Sequence, residues 1–179
     1  MKLVRLAAIA ALAALISTQA LAKFNADDAQ ESHEKAQVAL NEFKEKDPSI
    51  QKHIDSSPGY VVIPTVGKGG IGIGGAHGKG VLYEGGNVTG EVTLSQVSFG
   101  FQWGGQAYSE FIFFEDQLAL DNFKRGNFEL NAQASAVAVT AGASADADFN
   151  EGMLIFTQAK GGLMYEAAVG GQKFKVELK

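Results

Sequence analysis

Three observations predict a mainly β fold with attached α elements. From Tyr60 onward, apolar residues alternate in short runs. Glycine pairs and clusters separate those runs, and only three stretches keep a helical period. Many short strands with frequent glycine turns form antiparallel barrels or sandwiches. The predicted architecture is an antiparallel barrel- or sandwich-like sheet, with N-terminal helices over one end or edge and one short internal helix.

The first 22 residues read as an export signal. Lys2 and Arg5 give a positive start, Leu6 to Ile16 is apolar, and Ala20-Leu21-Ala22 supplies a small-residue cleavage site. The apolar run is shorter than the roughly 18–20 residues that cross a bilayer. Cleavage is expected after Ala22, with delivery to the periplasm of a Gram-negative host. That leaves 157 of the 179 residues, one domain of ordinary size, with a helical segment at 23–57 and a glycine-rich β part at 58–179. Lys2 and Arg5 leave with the signal, so the formal charge moves from −5 to −7. An acidic surface disfavours nucleic acid. The chain has no Cys, which excludes thiol catalysis, disulfides, Cys-zinc sites and a lipoprotein anchor.

Asn25 to Lys46 reads as a helix. Asn25 is its cap, and Asp27, Asp28 and Glu31 suit the positive end of its dipole. Ala29, Ala36, Leu40 and Phe43 form a narrow apolar stripe. Between Lys23 and Lys46 four bases face six acids. Asp47-Pro48 starts a second helix to Ser56, with Ile50 and Ile54 on one side. His33 and His53 are expected on exposed helix faces.

Eight glycines fall between Gly67 and Gly80, and the residues among them are apolar and mostly β-branched. That mixture predicts strands whose backbones lie close to another backbone or a ligand. The expected strands are Tyr60–Thr65, Ile71–Ala76, Lys79–Glu84, Asn87–Leu94, Val97–Gln102 and Ala107–Phe114. Gly67-Lys68-Gly69-Gly70 and Gly85-Gly86 are the expected turns. Asp116 caps a helix to Arg125, and Gly126 ends it. Phe128–Ala141 alternates with alanine at every second position from 132 to 138 and reads as a strand. Gly142–Asn150 is a connection, followed by strands at Gly152–Ala159, Leu163–Val169 and Lys173–Leu178.

Chemical motifs are few. Gly70-x-Gly72-x-x-Gly75 matches a dinucleotide pattern, yet a strand-like run follows it where a helix is required. No nucleophile elbow occurs. The three histidines have no metal spacing, so neither metal nor cofactor is expected, and His77 alone sits among glycines. Glu84, Glu91, Glu110, Glu115 and Asp116 read as solvated strand-end charges. Phe99, Phe101 and Trp103 share one strand face, and Tyr108, Phe111, Phe113 and Phe114 follow. These aromatics read either as core or as an apolar lip for acyl chains bordered by Lys68, His77 and Lys79.

The stretches GYVVIPTVGKGGIGIGGAHGKGVLY, VTLSQVSFGFQWGGQAYSEFIFFED and LALDNFKRGNFELNAQASAVA resemble the SYLF family, over roughly Ala36 to Lys179. These domains occur in actin-patch and phosphoinositide-binding proteins of yeast and animals, and in bacterial envelope proteins. The resemblance implies a non-enzymatic lipid-binding domain, with an N-terminal amphipathic helix contributing to lipid contact. Here that helix is Asn25–Lys46, with Leu40 and Phe43 on its stripe. The expected ligand is a phospholipid or other acyl-chain lipid, free or in a membrane surface. The expected contacts are Lys68, His77, Lys79, Phe101, Trp103, Leu40 and Phe43. The alternative is an envelope protein–protein interaction module without a lipid ligand.

Overall fold

The computed structural model describes residues 28–100, 106–126, 128–160 and 169–179. Residues 33–179 form one unit; residues 28–32, the described part of the other, are helical. Helix α1 covers residues 28–46. From His33 on, Ala36, Ala39, Leu40 and Phe43 are buried, at the three- and four-residue spacing of one helix face. The helix stops at Asp47, whose φ of −140° is extended, because a residue before proline is pushed out of the helical region. Asp47 caps a 3₁₀ turn, Pro48–Ile50, which runs into α2 (Gln51–Ser56).

Strand β1 is one unbroken run, Gly59–Glu84, where three strands were expected, and it reverses between Lys68 and Gly72, next to the turn expected at Gly67–Gly70. Its first part pairs with β3 (Gln106–Phe114), from Tyr60↔Phe113 to Lys68↔Gln106. Its second part pairs with β2 (Asn87–Gly100), from Gly72↔Gly100 to Glu84↔Asn87. Between these parts the run doubles back on itself. A Cβ on Gly80 would stand 2.5 Å from the Val62 carbonyl oxygen and 2.9 Å from Ile63 Cα. One on Gly59 would stand 2.8 Å from the Tyr83 carbonyl oxygen. Only glycine permits such an approach. The expected closeness of backbones is therefore found, and its partner is the other half of the same run.

β2 is also single where two strands were expected. Asp116 caps α3 (Gln117–Lys124) by accepting from the Ala119 N–H at 2.8 Å, and Gly126 follows with a φ of +79°. The predicted strand at Phe128–Ala141 survives only as β4 (Phe128–Glu129) and β5 (Val137–Ala138). The Asn131 side chain accepts from the Gln133 N–H at 2.9 Å, and its carbonyl accepts from Ala134 at 3.1 Å. That local turn breaks the strand. β6 (Met153–Ala159) and β7 (Lys173–Leu178) follow. The strand expected at Leu163–Val169 lies outside the described residues except for Val169.

The sheet order is β4-β7-β2-β1-β3-β6-β5. Its ladders are antiparallel except β5–β6. One face packs on α1 through Val62, Tyr83, Phe111, Phe113 and Phe156. The other packs on α3 through Val61, Leu82, Ile112 and Phe114. Consecutive residues of β1 and β3 are thus buried on opposite faces, which puts Phe111–Phe114 in the sheet centre.

Candidate functional site

The face that carries α1 is only partly roofed. Val81 and Tyr83 lie among the buried residues of the α1 side. His77 and Lys79, four and two residues before Val81, point to the same face by strand alternation and are exposed. Register sets His77 opposite Ser95 and Lys79 opposite Thr93. It then sets Ser95 opposite Lys173 and Thr93 opposite Lys175. Two adjacent rungs, His77–Ser95–Lys173 and Lys79–Thr93–Lys175, therefore share one bare stretch of sheet.

Acids border this stretch. Lys173 Nζ lies 3.4 Å from Glu129, and Lys175 Nζ lies 2.6 Å from Glu177. The Lys175 hydrogen bond and charge hold the Glu177 carboxyl below its ordinary range, and the Lys79 charge adds to this. A hollow lined by Ser95, Glu129, Lys173, Phe174 and Lys175 sits at its edge. Side chains with three amines, an imidazole and two hydroxyls suit phosphate oxygens.

The other predicted contacts divide. Lys68 is half-buried, opposite Gln106, and two residues from Val66 of the α3-side core. It therefore stands on the opposite face from His77 and Lys79. Leu40 and Phe43 are core residues. Phe43 is fully buried, with ring centroids 4.7 Å from Phe111 and 5.2 Å from Phe156. Phe101, Trp103 and the Phe99 side chain lie outside the described residues. Tyr108, Phe111, Phe113 and Phe114 are buried and closely packed, so that part of the aromatic run is filled core rather than the wall of a pocket.

Two buried carboxylates escaped the sequence reading. Glu110, expected as a strand-end charge, is fully buried on β3 between Ile63 and Thr157 of the neighbouring strands. Gln172 Nε2 donates to Glu110 Oε2 at 3.0 Å and to the Tyr108 hydroxyl at 3.2 Å. Glu110 Oε1 has no hydrogen-bond partner among the described residues. Burial raises the Glu110 carboxyl to about 7 despite the Gln172 bond. Burial, with the Glu110 charge behind it, raises the Tyr108 phenol as well.

Asp47 is equally hidden but well supplied with donors. Its Oδ2 accepts from Ser144 N and Oγ, both at 2.7 Å, and its Oδ1 accepts from Ser49 N at 3.1 Å. Burial pushes this carboxyl up, and the Ser49 and Ser144 bonds outweigh it, holding it down at about 2. His53, expected to be exposed, is buried beside it, with Nε2 2.9 Å from the Ser144 carbonyl oxygen. The three-residue spacing of Ile50 and His53 on one helical turn was the available signal. An Asp, a His and a Ser thus meet, but the imidazole addresses a backbone carbonyl and the hydroxyl addresses the Asp. No imidazole reaches the Ser144 hydroxyl, and a carboxylate held at about 2 is too weak a base to activate it, so the group works as a clip on the 140–149 loop.

Among the described residues no group of three or more His, Asp or Glu is placed to hold a metal, and no helix is long and apolar enough to cross a membrane. The profile of the family described as Ysc84, Las17-binding protein actin regulator, matches residues 95–177. The protein named Beta cell expansion factor A, from Aeromonas veronii, is 31% identical over 74 residues. That match spans 41% of this chain and 28% of the relative's length. The profile begins at Ser95, so the glycine-rich β1 run lies ahead of the matched span.

Proposed function

From the premise that residues 95–177 are a domain of the Ysc84/SYLF family, we propose that this chain is an exported, non-enzymatic phospholipid-binding protein that works at a membrane surface in the periplasm. The observation that carries the reading is the bare stretch of sheet beside α1. His77, Lys79, Lys173 and Lys175 stand there with Thr93 and Ser95 in two rungs. Lipid phosphates dock on those amines and hydroxyls. The acids that interleave them favour zwitterionic headgroups over strongly anionic ones. The described aromatic core is filled, so lipid engages the surface rather than an interior chamber.

Vesicle co-sedimentation tests this. Phosphatidylethanolamine–phosphatidylglycerol vesicles bind the wild-type chain, and the double substitution Lys79→Glu with Lys175→Glu reduces binding severalfold. Unchanged binding in the double variant removes this face from the reading. A wild-type chain that ignores all vesicles ends the lipid reading itself.

A second reading has its own observation. β4 covers β7 only at Lys173 and Phe174, and β7 continues to Leu178, which is 55% exposed. An open strand edge suits a partner strand. Crosslinking in intact cells from position 176 to a single protein, retained when Lys79 is reversed, would favour an interaction module.

A further inference from the structure

We propose that a cleft between the 130–137 segment and β6 holds the alkyl chain of an amphiphile whose head carries an ammonium group. This rests on the lipid reading above and gives it a chain site and a head chemistry. β5 meets β6 only at Phe156 and Thr157. Ahead of that ladder, the turn at Asn131 carries the chain away from β6. The gap is a cleft of about 390 Å³, within the range of small-ligand pockets. A smaller hollow continues it, and the two share Ser135, Asn150, Glu151, Met153 and Ile155.

The floor is apolar. Leu130, Ala134, Val137, Met153 and Ile155 supply it, and the small side chains of Ala134 and Ser135 leave the room. Alkyl burial against such a floor contributes ~0.8 kcal/mol per methylene. The mouth is acidic. Asp148 and Glu151 are exposed there, and Asn131 Nδ2 donates to Glu151 Oε2, which orients that carboxylate over the opening. Among the described residues neither hollow has a Lys, Arg or His in its lining. Two acids without a base repel a carboxylate or a phosphate standing alone and attract a cation. The bare face with Lys79 is mixed in charge, so the molecule offers headgroup phosphates and headgroup ammonium groups two separate surfaces.

Isothermal titration of the purified chain with dodecyltrimethylammonium and with dodecanoate, both below their micelle concentrations, tests the site. The ammonium amphiphile binds once per chain, roughly threefold to tenfold tighter than the carboxylate. Ser135→Trp fills the cleft and removes binding of both. If that variant fails to fold by circular dichroism, Ala134→Leu serves the same purpose. Asp148→Asn with Glu151→Gln brings the two affinities together and leaves the chain contribution in place. Equal affinities in the wild type, or binding indifferent to Ser135→Trp, overturns the proposal. Vesicle sedimentation run alongside separates the two readings. Vesicle binding without single-amphiphile binding sinks the cleft alone, and loss of both sinks the lipid reading too.

Discussion

Asp47 and Glu110 sit on opposite sides of the same sheet, and burial has acted on both. Asp47 belongs to the α1 side, where Ser49 and Ser144 donate four hydrogen bonds to its two oxygens. Glu110 belongs to the α3 side, where Gln172 donates one and the second oxygen has none among the described residues. The first carboxyl is held near 2 and the second is raised to about 7. Both are hidden from solvent, but Glu110 lies far deeper in the protein than Asp47, so depth and the number of donors together decide whether each carboxylate keeps its charge. The two sides consequently respond to pH with opposite sign.

The comparison can be broken most sharply by a change that should have no pH dependence. Phe43→Ala empties an apolar position on the Asp47 side and should cost about 3–5 kcal/mol at every pH. Urea unfolding from pH 4 to 8 checks this; a cost that varies with pH would mean that the packing and the charges are coupled.

Glu110→Gln comes next. An acid whose folded pKa is raised is protonated in both states below about 4.5. Between there and about 7 only the unfolded chain ionises, so stability falls as pH rises. Above that window the penalty is complete, at about 3 kcal/mol. Glutamine cannot ionise, so the variant should be more stable than wild type at pH 8 and similar at pH 4. Parallel urea curves at the two pH values decide it.

Ser144→Ala tests the other carboxylate. A depressed folded pKa gives stability that is present above about 3.8 and lost as pH falls through about 2. Losing the hydroxyl should cost about 1–2 kcal/mol at neutral pH and progressively less in acid. A cost that persists at pH 2 would assign the clip to packing instead. The smallest effect is expected from Lys79→Glu, which should stay within about 0.5 kcal/mol in thermal unfolding because its side chain is exposed. A larger loss would turn the proposed contact into a structural residue.

Much of the fold was legible where a short-range rule acts alone. Asp47 before Pro48 and Asp116 before Gln117 cap helices as their chemistry requires. Alternation placed β3, β6 and β7 to within two residues. What failed depended on distant neighbours. Glycines at 67–70 resemble a turn between separate strands, but the reversal comes between Lys68 and Gly72, inside a single run whose two halves approach at Gly78 and Gly80. The alanines at 132–138 fit a strand, and a single Asn131 turn defeats the pattern. Glu110 precedes an apolar run and resembles a strand end; Gln172, 62 positions later in sequence, closes over it. For the site, Lys68, His77 and Lys79 were named together as the border of one lip; the unbroken alternation of β1 keeps His77 and Lys79 on one face and sends Lys68 to the other. Leu40 and Phe43 were read correctly as a stripe, and only the sheet beneath shows that the stripe is spent on the core.

The doubled β1 run has a consequence for how the chain reaches this state. Glu84 meets Asn87 across a tight loop, and the two halves of β1 meet without any other segment between them. Closing such small loops costs little entropy, whereas β7 finds β2 only across a long intervening stretch of chain, as in Gly90↔Leu178. The central ribbon is thus a natural folding nucleus, and the C-terminal strand a late arrival. Pulse-labelled hydrogen exchange would register this as amide protection in β1 and β2 ahead of β7.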